Sequence, residues 1–129
     1  MILRIDFDSD TPIYVQIKNQ VIEGIAKSEI EIGEELPSVR GLAEDIGVNM
    51  HTVNKAYNML KDEGYIKIDR RKGAVVSLNL NQSMEKFKED LDENLYFYMA
   101  QCFNRNISKD EIKLYIDKVF LEFNNKENS

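Results

Sequence analysis

Apolar residues recur every three or four positions in five separate stretches of this chain. The first stripe is Ile13, Tyr14, Ile17, Val21 and Ile25; the second is Val39, Leu42, Ala43 and Ile46; the third is Val53, Ala56, Tyr57 and Leu60. After a break come Met84, Phe87, Leu91, Leu95, Tyr98 and Cys102, and then Ile112, Tyr115, Ile116, Val119, Phe120 and Phe123. Spacing of that kind lays apolar side chains along one face of a helix, so five helices are expected. Between the third and fourth stripes the period drops to two. Ile66 and Ile68 alternate with Lys67 and Asp69, and Val76 and Leu78 flank Ser77, which predicts two short strands around Arg71-Lys72-Gly73.

Helix ends are marked by local chemistry. Thr11-Pro12 predicts a start with Pro12 in the first turn, where its missing N–H costs nothing. Pro37 and Ser38 open the second helix, with the serine hydroxyl as N-cap, and Gly47 closes it. Asn49 caps the third, which stops at Gly64. The largely polar run from Lys27 to Glu35 reads as a loop. Ser108 with Glu111 three residues on is a capping box for the last helix. Two short helices joined by a tight turn at Gly47, followed by a basic hairpin, is the layout of a winged helix-turn-helix. The expected fold is therefore mainly α with a small β-wing over residues 1–80, and a two-helix tail over 81–129.

Such a motif presents its second helix to a DNA major groove. Opposite the third stripe, His51, Asn54, Lys55 and Asn58 share one side of that helix. Asparagine can pair with both acceptor and donor of adenine, and lysine reaches guanine or a phosphate. A polar face alone is weak evidence, because any solvated helix has one. The neighbouring residues add the context.

Leu36-Pro37-Ser38-Val39-Arg40, Leu42-Ala43, Gly47-Val48-Asn49, Thr52-Val53, Lys55-Ala56-Tyr57, Leu60, Glu63-Gly64-Tyr65-Ile66 and Lys72-Gly73 followed by Val76 resemble, in order and spacing, the GntR family of bacterial transcription regulators. With Pro12-Ile13-Tyr14 the likeness covers about half the chain. It is nearest to the YtrA-like subfamily, whose members carry only a short helical tail. Arg71 stands where the family's wing often has a glycine, and Met50 where an arginine or proline is common. Those departures touch operator sequence and wing geometry. The resemblance implies double-stranded operator DNA as partner, with a palindromic site, and contacts from Arg40, Asn49, His51, Thr52, Asn54, Lys55, Arg71, Lys72 and Gly73. It implies repression, and a single cysteine, which allows no internal disulfide, fits a reducing cytoplasm.

Composition first argues the other way. The 129 residues are 43% hydrophobic and carry a net charge of −6, whereas nucleic-acid binders are more often basic. The acid excess is shared evenly between head and tail. Fields at a phosphate are local, screened over about 8 Å in physiological salt. Lys67, Arg70, Arg71 and Lys72 face only Asp69 in that stretch. The overall acidity therefore weakens non-specific binding without forbidding a specific site.

The tail has more apolar surface than two helices can hide against each other. Phe87, Leu91, Leu95, Tyr98, Phe103, Ile116 and Phe120 are expected to bury against the same helices of a second chain, making a homodimer. A small-molecule effector would have to lodge in space shared between subunits, lined by aromatics such as Tyr96, Phe97 and Tyr115. Cys102, within the stripe, is expected to be a buried core thiol. Asn124 to Ser129 are polar and expected to fray.

Other chemistry is absent. One histidine and one cysteine cannot close a zinc site, the glycines are scattered singly, and adjacent Glu44 and Asp45 point to different sides. No enzyme, metal or cofactor is expected. No run approaches the 18 apolar residues of a membrane span, and aspartates 6, 8 and 10 are unlike a secretion signal. The alternative function is a protein–protein adaptor without DNA binding. That would place apolar residues on the exposed helix face, where Met50 stands alone.

Overall fold

The computed structural model describes residues 1–124 and divides into two compact units, residues 1–82 and the segment from Ser83 onward. The first unit contains α1 (Ile13–Ala26), α2 (Val39–Ile46), α3 (Met50–Glu63) and an antiparallel hairpin of β1 (Ile66–Asp69) and β2 (Gly73–Val76). The second contains α4 (Met84–Asn104) and α5 (Lys109–Asn124), preceded by a single 3₁₀ turn, Asn81–Ser83. This is a winged helix-turn-helix followed by two helices.

The core of the first unit is built from the predicted stripes. Ile17 and Val21 of α1, Leu42 and Ala43 of α2, and Val53, Ala56, Tyr57 and Leu60 of α3 are buried together with Ile30, Leu36, Ile66, Ala74 and Val76. Gly47 and Gly64 end α2 and α3 in the left-handed region, at φ 70° and 98°. Pro12 sits one step earlier than expected. It is the N-cap of α1, with extended ψ of 146°, because the chain reaches it through turns and bends over residues 7–11 and becomes helical only at Ile13.

The segment ahead of those turns is strapped to α1 by two glutamines one turn apart. Gln20 accepts from the Arg4 N–H at 2.9 Å and donates to the Arg4 carbonyl at 2.7 Å. Gln16 does the same for Asp6, both at 2.9 Å, and also donates to the Thr11 carbonyl. Side-chain amides thus take the place of a neighbouring strand, and residues i and i+4 of the helix meet alternate residues of that segment.

The wing differs from expectation in two ways. Its second strand ends at Val76, leaving Ser77 and Leu78 outside, and Ile68 is exposed although it follows the alternation. β1 is an outer edge that runs beyond the core's reach. The run before α2 is the expected loop of turns and bends, but its last residues, Gly33 to Leu36, also pair with the free edge of β2. Glu35 bridges Val75, Gly33 donates to the Val76 carbonyl at 2.8 Å, Val76 to that of Glu34 at 2.9 Å, and Leu36 to that of Ala74 at 2.8 Å. β2 is therefore paired on both edges, which is why Ala74, Val75 and Val76 are all buried.

In the second unit, Ser108 accepts the Glu111 amide at 3.1 Å as the predicted cap. Neither helix has a buried residue, and α4 and α5 hardly touch along their lengths. Phe87, Leu91, Leu95, Tyr98, Phe103, Ile116 and Phe120 are all exposed in the single chain. Cys102 is half-exposed, not buried, because α5 leaves the α4 stripe uncovered. Asn124 still belongs to α5; the rest of the expected frayed end, residues 125–129, lies outside the described residues.

Candidate nucleic-acid interface

The candidate interface comprises three short pieces, each with its start or turn fixed by a side chain. Ser38 Oγ accepts the Gly41 amide at 3.0 Å, so α2 begins at Val39 and Arg40 stands exposed in its first turn. Asn49 Oδ1 accepts the His51 amide at 2.6 Å, which starts α3 at Met50. The side chain of Asn49 is thereby committed to the cap, and it meets any ligand as part of that turn. α2 and α3 are locked together by Tyr57, whose phenol donates to the Pro37 carbonyl at 2.7 Å. Burial pushes that phenol far above its usual titration range.

α3 then has two distinct sides. Val53, Ala56, Tyr57 and Leu60 are buried, whereas His51, Asn54, Lys55 and Asn58 are exposed and Thr52 lies half-buried between them. The side chains of His51, Asn54 and Asn58 have no hydrogen-bond partner among the described residues. At 14 residues and about 1.5 Å per residue, α3 is roughly 21 Å long, enough to lie within a major groove.

Lys55, on the exposed side as expected, also has a partner within the domain. Its ammonium lies over the ring of Tyr14 in α1, 4.0 Å from the centroid. In the sequence Tyr14 is a member of the α1 stripe and of the Pro12-Ile13-Tyr14 motif, neither of which points to a cation on its ring. One turn on, Lys18 pairs with Glu63 at 3.2 Å, so the α1–α3 seam carries two cross-links along one edge. No ion pair joins Arg40 to Glu44 among the described residues, which leaves the Arg40 guanidinium without a carboxylate partner.

The wing tip is held by Asp69. Its Oδ1 accepts from the amides of Arg71 at 2.8 Å and Lys72 at 3.1 Å, folding residues 69–73 into a tight turn that Gly73 leaves at φ 77°. Those two amides, helped by the charges of Lys72 and Lys67, hold the Asp69 carboxyl below the usual range. Arg70, Arg71 and Lys72 are all exposed around the turn. Aspartate therefore shapes the loop and leaves its basic side chains pointing into solvent. Of the residues expected at the interface, Arg40 lies in the first turn of α2, Asn49 caps α3, His51, Thr52, Asn54 and Lys55 lie in its first two turns, and Arg71, Lys72 and Gly73 lie at the wing turn, all exposed except the half-buried Thr52.

The profile of the bacterial regulatory proteins of the gntR family matches residues 13–76, from the first residue of α1 to the last of β2. The HTH-type transcriptional repressor YtrA of Bacillus subtilis is 42% identical over 86 residues, which cover 67% of this chain and 66% of that protein. A solved structure of YtrA from Sulfolobus acidocaldarius, a GntR-family transcription factor, is 46% identical, with a TM-score of 0.64 over 78% of this chain and 99% of that one. The chain belongs to the GntR family. Its first unit is the DNA-binding helix-turn-helix of that family, and its relatives in this comparison are transcription regulators, not enzymes. The YtrA-like likeness read from the tail's brevity agrees with both YtrA proteins. The matched stretch spans just under two thirds of the Bacillus repressor's length. The DNA-binding domain of AraR, solved in complex with operator ORX1, is 25% identical, with a TM-score of 0.53 over 58% of this chain and 96% of that one. Among the described residues no helix is long and apolar enough to cross a membrane, and no cluster of His, Cys, Asp or Glu could hold a metal ion.

Proposed function

We propose that this GntR-family chain is a homodimeric, sequence-specific operator-binding repressor that works in the cytoplasm. Each protomer sets α3 into a major groove and lays the basic tip of its β1–β2 wing on the backbone alongside. The observation that carries the reading is the outer face of α3, where His51, Asn54 and Asn58 are exposed and unpartnered while every apolar residue of the helix core faces inward. Amides left free in this way have their hydrogen-bonding capacity available for base edges. Arg40 and the Lys72–Gly73 tip supply phosphate contacts, which fix register without reading sequence. The AraR domain bound to its operator and the repressor named YtrA support the same role for this chain.

Assembly is assigned to the tail. Phe87, Leu91, Leu95 and Tyr98 on α4 and Ile116 and Phe120 on α5 are exposed in one chain, and Phe103 is 82% exposed. Apolar surface of that extent is stable in water only when another surface covers it, and two copies of one chain give the two-fold symmetry that matches a palindromic operator.

The test is enrichment of duplexes from a random pool, followed by affinity measurements against salt. Arg40→Ala is expected to weaken all duplexes alike and lower the slope of log K against log salt by about one per protomer. Asn54→Ala should instead erase discrimination at one or two base pairs, a loss of about 1–3 kcal/mol there. Unchanged binding in both variants, with the fold intact by circular dichroism, would overturn the assignment.

A further inference from the structure

We propose that Tyr14 is a positioning residue that docks Lys55 against α1, so that Lys55 anchors a backbone phosphate and does not read base edges. This rests on the operator-binding reading above. The Lys55 ammonium stands 4.0 Å from the Tyr14 ring centroid, within the range where the negative face of an aromatic ring attracts a cation. The contact crosses from α3 to α1, and the nearby Lys18–Glu63 pair ties the same two helices.

Direction decides what Lys55 can reach. Tyr57 faces α2, since its hydroxyl bonds the Pro37 carbonyl ahead of that helix, whereas Glu63 and Lys55 face α1. Asn54 lies about 100° round from Lys55 on the α2 side, with His51 and Asn58 between them. A lysine drawn back toward α1 therefore sits at the wall of a groove whose floor lies under His51 and Asn58. Phosphates run along that wall. Ammonium is also a point charge suited to a phosphate oxygen, whereas telling bases apart takes the paired donor and acceptor of an amide such as Asn54 or Asn58. The ring restrains the lysine without neutralising it, so full charge is delivered at a fixed place.

Two measurements test this. In the free protein, ring currents from Tyr14 should shift the Lys55 side-chain methylene protons upfield, and Tyr14→Leu should return them to ordinary positions while Tyr14→Phe keeps the shift. On a duplex enriched from a random pool by the wild-type protein, Lys55→Met should weaken matched and mismatched sequences by the same factor and reduce the salt slope by about one per protomer. Tyr14→Leu should weaken binding about two- to fivefold per protomer, Tyr14→Phe should bind as wild type, and Tyr14→Leu should add nothing once Lys55 is methionine. An equal Tyr14→Leu loss in both backgrounds would show that the ring merely packs, and a Lys55→Met loss confined to particular base pairs would show a base reader. Either result overturns the proposal. Unshifted Lys55 protons in a protein that does enrich a duplex overturn the docking alone. Shifted protons in a protein that enriches none overturn the operator reading beneath it.

Discussion

Gly64 and Gly47 both end helices at positive φ, yet they carry different loads. At Gly47 a Cβ would meet open space, so the demand is conformational only, and Gly47→Ala should cost about 1–2 kcal/mol, the ordinary penalty of a left-handed alanine. At Gly64 a Cβ would run into the backbone carbonyl of Asn79, whose own N–H donates to the Gly64 carbonyl at 2.8 Å. Backbone cannot swing aside as a side chain does. Gly64→Ala should therefore cost roughly 3 kcal/mol or more, read as a fall in the urea midpoint at constant slope. Equal losses at the two glycines would refute the distinction. From the sequence both read alike as helix stops, because the residue that crowds Gly64 lies beyond the whole wing.

Helices and caps were legible because each depends on neighbours within a turn. Ser38, Asn49 and Ser108 cap as expected, and the α3 stripe separates the core from the outer face with no exception among the four predicted apolar positions. What the pattern concealed was pairing between distant segments. The run from Gly33 to Leu36 looks like a polar loop, and the sequence does not show that it hydrogen-bonds along the free edge of β2. Tyr14 likewise looked like core, since periodicity reports which face a residue is on and not which cation rests upon it. At the wing, the Asp69 turn makes a pH prediction. Its carboxyl is held low by the Arg71 and Lys72 amides, so the turn's support is present above the unfolded Asp value of about 3.9 and is lost as pH falls through the lower folded value. Amide shifts of Arg71 and Lys72 should titrate with a midpoint below about 3.9 and stay flat through neutral pH. A midpoint at or above the ordinary value would mean that those bonds do not persist in solution.

The two units differ in how they are held together. Every buried hydrophobic residue among those described lies in residues 1–82, and none lies in the tail. Stopping the chain after Gln82 should therefore leave a cooperatively folding domain with its melting transition largely kept. On the homodimer proposal, that fragment should sediment as a monomer and bind operator far more weakly, because a single winged domain reaches only one half-site. A fragment that still sediments as a dimer would move the interface off α4 and α5.

The strip from Gly33 to Leu36 is at once the far edge of the wing and the last stretch of chain before α2 is capped at Ser38. Deleting one residue there would flip side-chain parity along β2, turning Glu35 inward and Leu36 outward. Lengthening it would slide α2, and the α3 it carries, relative to the wing. A change of length in that strip should therefore be far less tolerated than one in a segment that pairs with nothing. On the operator-binding reading, the connector ahead of α2 acts as a fixed-length spacer between α3 and the wing, the two parts proposed to reach the same stretch of DNA.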